Sequence, residues 1–286
     1  MKEIAISGSS GFVGSEFIKR KGGEYRFRKL ERKDLYGNRT KLSEKINGSD
    51  VVMHFAGRSI AGRINRKAKK EILSSRVVTT HNLIEAMRMC GETPGKFIVA
   101  SATGIYNDVG IHTEKSHAFA DHFLAEVVKQ WEQEAEKAKE AGIKTVIMRM
   151  GVVLGNNGGI MKKMKPFYER GLLIIPGQGK QGFSFIHIND LVLILDKFIY
   201  DENSNGVYNV TAPEVHTYND FALIWGMKKG MAIRLKIPEI LLKVVLDEGA
   251  VVLTRGQKAI PERLMNEGYS FKYSGLKEAM LSIIKE

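Results

Sequence analysis

Short apolar runs alternate with longer amphipathic stretches through the first half of the chain. The short runs predict buried strands, and the longer stretches, whose apolar positions recur every three or four residues, predict helices. The predicted strands are Ile4–Ser7, Tyr25–Leu30, Val51–Phe55, Phe97–Ser101 and Thr145–Arg149, and the predicted helices are Phe12–Lys21, Lys67–Met89 and Phe119–Ala141. Strands that alternate with helices are joined by right-handed crossovers in a parallel sheet, so we predict a doubly wound α/β fold.

The pattern changes after the fifth predicted strand. Glycine and proline become frequent from Gly151 to Gly182, which predicts loops that leave the sheet. Phe183–Ile188 and Asp190–Tyr200 predict a further strand and helix, with which we expect the sheet to resume. Beyond Val210, short helices and one short strand around Ile233–Ile237 predict a smaller, mainly helical C-terminal lobe. The predicted sheet domain comprises residues 1–155 and 183–211, and the lobe comprises residues 156–182 and 212–286.

The 286 residues can bury a full core. No apolar run approaches the roughly 18 positions that a membrane span requires, so we expect no transmembrane helix. The first residues lack the hydrophobic stretch of a secretory signal, so we expect the mature chain to start at Met1. Cys90 is the only cysteine. It cannot form an internal disulfide and lies in a helical pattern as a small apolar residue, which favours the reducing cytoplasm.

The formal charge of +12 indicates an anionic partner without identifying it. A dinucleotide, an acidic substrate, nucleic acid or solubility alone would account for it. The basic cluster Arg63–Lys70 lacks the interleaved aromatic residues of a single-strand binding platform, which disfavours nucleic acid. The seven histidines are scattered, and no Cys or His pair has metal-ligand spacing. We therefore expect a small-molecule partner and no metal; an oligomer is possible but not readable from the sequence.

Three glycines, Gly8, Gly11 and Gly14, lie at the junction of the first predicted strand and the first predicted helix. A phosphate-binding turn lies at this junction in dinucleotide-binding βαβ units. Gly8 can adopt the turn, Gly11 lets the backbone approach a pyrophosphate, and Gly14 lets the helix pack closely. The N–H groups that open the helix, including those of Phe12 and Val13, then face the phosphates. A tight turn without a ligand is the alternative, and the position in the βαβ pattern favours the ligand.

The second predicted strand ends in Leu30-Glu31-Arg32-Lys33. An acidic residue at this point accepts the ribose 2′-OH of NAD, whereas an arginine accommodates the 2′-phosphate of NADP. Arg32 has a planar fork suited to phosphate, and Lys33 adds a second charge. The charge argument favours NADP over NAD, although Lys33 also fits a solvated polar loop.

Further motifs follow in order along almost the whole chain. They are His54–Gly57, Lys70–Val77 with Thr80, Gly151–Gly155, Phe183–Leu191 and Thr254–Leu264. Together with the glycine spacing they resemble the extended short-chain dehydrogenase/reductase superfamily, whose domain is of the Rossmann type. They are most similar to its atypical branch, the NAD-dependent epimerase/dehydratase-like proteins with a small C-terminal domain of unknown function.

The resemblance implies roles for several cofactor-binding residues. Ala56 and Gly57 would line the adenosine side, Glu71 and Arg76 would reach the cofactor from the long helix, and Val153 would approach the nicotinamide. The chemistry of Arg76 independently suits an anion. Glu71 could equally be a helical acid paired with a lysine, and Ala56-Gly57 could reflect close packing alone.

Typical members of this superfamily carry a proton-transferring tyrosine with a lysine four residues later. The corresponding segment here offers Phe123 with Val127, or Leu124 with Val128, depending on register. Neither pair can transfer a proton. The chain therefore resembles dinucleotide-binding proteins but lacks their usual acid/base pair.

Ser101 and Tyr106 are the remaining catalytic candidates, because they lie where the fourth strand would meet the nicotinamide. Without a nearby cation, a tyrosine keeps a pKa of about 10 and is a poor base, but it can donate to a developing alkoxide. This favours carbonyl reduction over alcohol oxidation. Tyr106 could instead be a structural aromatic residue, and Ser101 could bond local backbone. Asp190, three residues after His187, is better explained as a helix N-cap than as a catalytic partner.

Two functions remain. One is an NADP(H)-dependent oxidoreductase or epimerase-like enzyme that acts on an unknown small molecule between the sheet domain and the C-terminal lobe. The other is a cofactor-binding regulator or scaffold with little turnover. Sugar-nucleotide epimerisation is disfavoured because it needs reversible oxidation of an alcohol.

Overall fold

A six-stranded parallel sheet forms the centre of the protein, whose computed structural model describes residues 1–156, 158–227 and 233–284. The strands within these ranges are β1 Glu3–Ser7, β2 Arg26–Leu30, β3 Val51–His54, β4 Lys96–Ala102, β5 Lys144–Met150, β6 Val152–Leu154, β7 Leu172–Pro176, β8 Phe185–His187, β9 Gly206–Val210 and β10 Ile233–Ile237. The main sheet has the order β2-β1-β3-β4-β5-β9, with every neighbouring pair parallel. The predicted doubly wound fold is confirmed.

Helices cover both faces of this sheet. They are α1 Phe12–Lys21, α2 Arg32–Leu35, α3 Arg39–Ile46, α4 Arg66–Ser74, α5 Val77–Arg88, α6 Phe123–Glu136, α7 Gly159–Glu169, α8 Ile188–Tyr200, α9 Tyr218–Met227, α10 Glu239–Leu246, α11 Val251–Thr254, α12 Glu262–Asn266 and α13 Leu276–Ile284. Helices α1 and α8 pack on one face, and α3, α5 and α6 pack on the other. Within β1, Ile4 and Ile6 join the first core and Ala5 joins the second. Burial on both faces explains the nearly continuous apolar runs of the central strands.

Two of the predicted helices differ from those observed. The stretch Lys67–Met89 forms α4 and α5, because the chain breaks at Ser75 and Arg76. The Ser75 hydroxyl donates to the carbonyl of Ile72, a local bond that competes with helix continuation. Helix α6 begins at Phe123 rather than Phe119, because His122 caps it by accepting the N–H of Ala125 at 3.1 Å.

The loops predicted between Gly151 and Gly182 are wrong, since this segment contains β6, α7 and β7. The later strand, β8, does not rejoin the main sheet: it pairs with β6, and β9 takes the sixth place. Several glycines here serve close packing. A Cβ at Gly155 or Gly158 would lie less than 3.0 Å from the ring of Phe12.

The predicted short strand at Ile233–Ile237 is confirmed as β10, which pairs with β7. A third core lies here, built from α9, α13 and the segments between β6 and β8, with Phe221 and Trp225 among its buried residues. The predicted division of the chain at 155/156, 182/183 and 211/212 remains a prediction. Among the helices that the structure describes, none is long and apolar enough to cross a membrane.

Candidate functional site

The turn between β1 and α1 packs too tightly for side chains at two of its glycines. Gly8 has φ +74°, and a Cβ there would lie 2.6 Å from the carbonyl carbon of Phe55. A Cβ at Gly14 would fall under 3.0 Å from the Gly8 oxygen. Gly11 donates its N–H to that oxygen at 3.0 Å and forms the N-cap of α1 without a side-chain cap. The amides of the first turn are therefore open to an anion.

Phe12 and Val13 begin α1 and are both partly buried against the first core. The ring of Phe12 fills the space left by Gly155 and Gly158, so the loop after β6 lies against the start of α1. Val153 packs against the same core. It does not line either of the two large cavities described below, whereas its neighbour Val152 lines both.

Two exposed cations, Arg32 and Lys33, follow the end of β2, and they differ in whether they form an ion pair. Lys33 pairs with Glu31 at 2.8 Å, and this hydrogen bond raises the pKa of the lysine. Glu31 also forms a reciprocal capping box with Asp34 at the start of α2. The guanidinium of Arg32 lies 5.6 Å from the ring of Tyr36 and forms no ion pair with any described residue. Arg32 is therefore the better placed of the two for a phosphate.

Arg76 is a partly buried cation without a counter-ion among residues 1–156, 158–227 and 233–284. Its guanidinium lies beside Gly57, where an added Cβ would be 3.3 Å from Cζ, and 5.4 Å from the ring of Trp131. Its Nη1 donates only to uncharged oxygens, including the carbonyl of Ile72 at 3.3 Å. Burial lowers the pKa of Arg76 to about 10, so the group stays charged at neutral pH. An anionic ligand would supply the missing counter-charge.

Glu71, the other residue expected to reach the cofactor from this region, forms an ion pair with Arg58. Both side chains are partly exposed, and Arg58 lines the neighbouring cavity. The predicted lysine partner of Glu71 is thus an arginine.

A cavity of about 480 Å³ opens at the carboxyl ends of β3, β4 and β5. Parallel sheets of this kind bind their ligands at this edge. The cavity brings together Ala56, Gly57, Arg76 and Ser101. Its wall on the α6 side is apolar and is formed by Leu124, Val127, Val128 and Trp131. Neither register of the expected pair, Phe123 with Val127 or Leu124 with Val128, places a proton-transferring side chain on this wall.

Ser101 lies at the base of this cavity, but its hydroxyl is already engaged. It donates to Glu132 at 2.5 Å, and Glu132 also receives two hydrogen bonds, of 2.8 and 2.7 Å, from Arg149. Arg149 in turn donates to the hydroxyl of Tyr106 at 2.8 Å. This buried network leaves Ser101 able to accept a further hydrogen bond.

Tyr106, the other catalytic candidate, does not line the 480 Å³ cavity. Its side chain is fully buried, and its hydroxyl also lies 2.9 Å from the side-chain oxygen of Asn209 on β9. Burial raises the pKa of Tyr106, so it stays neutral. These contacts fit the structural alternative, in which Tyr106 is an interior aromatic residue that joins its loop to the sheet.

Thr103 was missed by the sequence reasoning. It is 7% exposed and lines both the cavity above and a second one beside it. No side chain or backbone group in the described part of the chain hydrogen-bonds to its hydroxyl. Its position directly after β4 is the signal that could have found it.

The N-cap assignment at α8 also needs correction. His187, not Asp190, caps this helix by accepting the N–H of Asn189 at 3.1 Å. The carboxylate of Asp190 accepts the N–H groups of Lys272 and Tyr273, each at 2.9 Å. These side chains serve structure and lie outside the two large cavities.

Comparison with known proteins gives matches over nearly the whole chain. The model of the NAD dependent epimerase/dehydratase family matches residues 4–211, and that of a domain of unknown function, DUF1731, matches residues 237–283. An epimerase family protein of Staphylococcus aureus is 31% identical over 300 residues, covering 100% of both chains. The chloroplastic homolog of epimerase family protein SDR39U1 from Arabidopsis thaliana is 30% identical and covers 99% of this chain and 86% of that one.

A solved structure, that of human epimerase family protein SDR39U1 (isoform 2) with NADPH, superposes with a TM-score of 0.90. It shares 27% sequence identity, and the match covers 99% of each chain.

Proposed function

The chain belongs to the NAD-dependent epimerase/dehydratase family, and we propose that it is an NADP(H)-binding oxidoreductase that reduces a small carbonyl compound. The observation that carries the proposal is the β1–α1 turn, in which Gly8 and Gly14 leave no room for side chains and the first amides of α1 are uncapped. The similarity to a human protein solved with NADPH supports it. We retain the cytoplasm as the proposed compartment, because Cys90 is a buried free thiol.

The dinucleotide would follow the edge of the sheet from β2 to β4. Its pyrophosphate would meet the amides of Phe12, Val13 and Gly14, with the adenosine ribose near Arg32. Arg76 would supply a positive charge beside Ala56 and Gly57. The nicotinamide would enter the 480 Å³ cavity, whose wall on the α6 side is apolar.

Replacing Arg32 by glutamine tests the preference for NADP. We expect the Kd for NADPH to rise about tenfold, because a charge-assisted hydrogen bond to the 2′-phosphate is lost from an exposed position. The Kd for NADH should change less than about twofold, since NADH carries no such phosphate. Isothermal titration calorimetry measures both.

Lys33→Gln is the matched control for Arg32→Gln, because it removes one charge from the adjacent position. Its effect on NADPH should be smaller, since Lys33 is already paired with Glu31. An equal loss of affinity for NADPH and NADH in Arg32→Gln would remove Arg32 from the phosphate site. Failure of the unaltered protein to bind either nucleotide would refute the proposed function.

The chain offers hydrogen-bond donors but no general base of the usual kind. NADPH would supply the hydride when bound, and the alkoxide that forms would take its proton from solvent water. We propose that the Thr103 hydroxyl donates to the substrate carbonyl oxygen, because it is unpartnered in the described part of the chain, accessible, and at the junction of the two cavities. A neutral hydroxyl can stabilise a developing alkoxide but cannot readily remove a proton from an alcohol. This favours reduction over epimerisation.

Replacing Thr103 by valine tests this role with little change in volume. A panel of aldehydes, ketones and quinones is first assayed for NADPH oxidation with the unaltered protein. For any substrate found, kcat should fall about 100-fold in Thr103→Val, as expected for loss of one donor to the reacting oxygen. The Kd for NADPH should stay unchanged.

Ser101→Ala is the comparison variant for Thr103→Val. Its loss of kcat should be clearly smaller, because the Ser101 proton is directed at Glu132. Equal kcat values for Thr103→Val and the unaltered protein would exclude the proposed role. Absence of turnover across the panel, with NADPH binding intact, would favour the alternative function of a cofactor-binding regulator, which the missing tyrosine and lysine motivate.

A further inference from the structure

A second cavity, of about 510 Å³, adjoins the first on the side away from the main sheet. Thr103, Val152 and Gln257 line both cavities, so the two form one cleft. Helix α7 and the segment after α10 enclose the second cavity. Its wall is largely apolar, and the contributing side chains include Ala61, Val152, Ile160, Phe183, Val252 and Leu253.

Tyr218 places an unpartnered hydroxyl in this apolar wall. The residue is 5% exposed and begins α9. No hydrogen bond to its hydroxyl exists within the described ranges, although its ring packs against Phe183 and Phe221. Burial raises the pKa of Tyr218 to about 12, so the hydroxyl remains a neutral donor. The hydroxyl is accessible from the cavity, so a ligand bound there can accept its hydrogen bond.

Two cations lie at the same cavity. Lys162 and Lys163 both line it, and neither forms an ion pair with a residue that the structure describes. They belong to the first turns of α7, whose N-cap, Gly158, provides no side-chain cap. Arg255, a third cation of the lining, is instead paired with Asp108 at 2.6 Å.

Two other polar side chains of the cavity are occupied. The amide of Gln181 donates to the carbonyls of Pro176 and Leu253, at 3.2 and 2.7 Å. The hydroxyl of Ser184 donates to the carbonyl of Gln257 at 2.8 Å. An anionic group therefore has the donors of Tyr218, Lys162 and Lys163, and, within the described residues, the amide of Gln257 and the hydroxyl of Thr103 are also free where the two cavities meet.

We propose that this cavity holds the substrate and that the substrate is an apolar organic anion. Its ring or chain would pack on Ile160, Phe183 and Leu253, and its anionic group would accept hydrogen bonds from Tyr218, Lys162 and Lys163. The proposal rests on the proposed function, because it places a substrate beside the NADPH cleft. Tyr218, Lys162 and Lys163 would then determine which substrates bind.

Two fluorescent probes separate the contribution of the negative charge to binding from that of the apolar body. 8-Anilinonaphthalene-1-sulfonate has an apolar aromatic body and one sulfonate, and N-phenyl-1-naphthylamine is the same body without the sulfonate. Both are titrated into NADPH-saturated protein at low salt. We expect the sulfonate probe to bind with a stoichiometry of one and more tightly than the uncharged probe.

Variants of the lining residues test whether the sulfonate probe binds in the second cavity. The double variant Lys162→Met/Lys163→Met should raise the Kd of the sulfonate probe about tenfold, since two charge contacts are lost. Tyr218→Phe should raise it about 3–10-fold, as expected for one hydrogen bond. Neither change should alter the Kd of the uncharged probe more than about twofold. Lys29→Met/Lys41→Met, at exposed positions on β2 and α3, is the charge-matched control and should leave both probes unaffected.

Three results would overturn the proposal: equal binding of the two probes, equal losses in the two lysine double variants, or no effect of Tyr218→Phe. Displacement of the sulfonate probe by UDP-glucose, with affinity insensitive to these variants, would indicate a polar sugar nucleotide instead. NADPH affinity is measured for every variant. If NADPH fails to bind, the proposed function fails, and the probe titrations repeated without NADPH still decide the character of the cavity.

Discussion

Replacing Glu132 by alanine is expected to lower the free energy of unfolding by about 3–5 kcal/mol. Glu132 and Arg149 form an ion pair at 2.7 Å, with side chains only 10% and 7% exposed. The substitution leaves the guanidinium of Arg149 buried without a counter-ion and takes the acceptor from the Ser101 hydroxyl. Urea denaturation followed by circular dichroism measures the change.

Glu140→Ala is the control for Glu132→Ala. Glu140 pairs with Arg88 at the surface at a similar distance of 2.7 Å, so its loss should cost less than about 1 kcal/mol. Should Glu132→Ala be insoluble, the double variant Glu132→Met/Arg149→Met removes both charges and should recover most of the stability. A loss no larger than that of Glu140→Ala would show that the buried pair is unimportant for stability.

Replacing Gly14 by alanine is expected to weaken NADPH binding at least about 100-fold. The new Cβ would lie under 3.0 Å from the carbonyl oxygen of Gly8, a backbone atom that cannot move away by a side-chain rotation. Helix α1 must therefore shift from β1, and its first amides would leave their positions around the pyrophosphate. Calorimetric titration with NADPH gives the affinity, and urea denaturation shows whether the variant is folded.

Other glycines provide a graded series for the same test. A Cβ at Gly11 would lie 3.2 Å from the Gly8 oxygen, so Gly11→Ala should cause an intermediate loss. At Gly23 no atom lies within 4 Å of an added Cβ, so Gly23→Ala should leave NADPH affinity unchanged. Similar affinities for the Gly14 and Gly23 variants would mean that the β1–α1 turn does not hold the phosphates.

The two predictions concern two parts of the proposed dinucleotide site. The Gly8–Gly14 turn sets where the dinucleotide would lie, and the Ser101–Glu132–Arg149 network fixes the base of the cavity that would receive its nicotinamide end. Within this network the hydroxyl proton of Ser101 is directed at the carboxylate of Glu132. The neighbouring hydroxyl of Thr103 stays free for a substrate.

The sequence alone determined the parallel sheet and the site of the first turn. Both are encoded locally. Apolar periodicity predicts strands and helices, and the glycines recur every third residue at a strand-to-helix junction. The absence of the tyrosine and lysine pair was also visible, because it concerns residue types in one segment. The loops predicted after Gly151 were wrong, since glycine there serves close contact with Phe12.

Only the tertiary structure decided which polar groups are free. Tyr106 follows β4 as a catalytic residue would, yet its hydroxyl is satisfied by Arg149 and by Asn209, 103 residues away. Thr103 and Tyr218 look ordinary in sequence, and they matter because nothing packed around them bonds to their hydroxyls. A local pattern fixes which residue types lie at the cleft, but hydrogen-bond partners come from distant segments, so pairing and burial are settled only when the chain has folded.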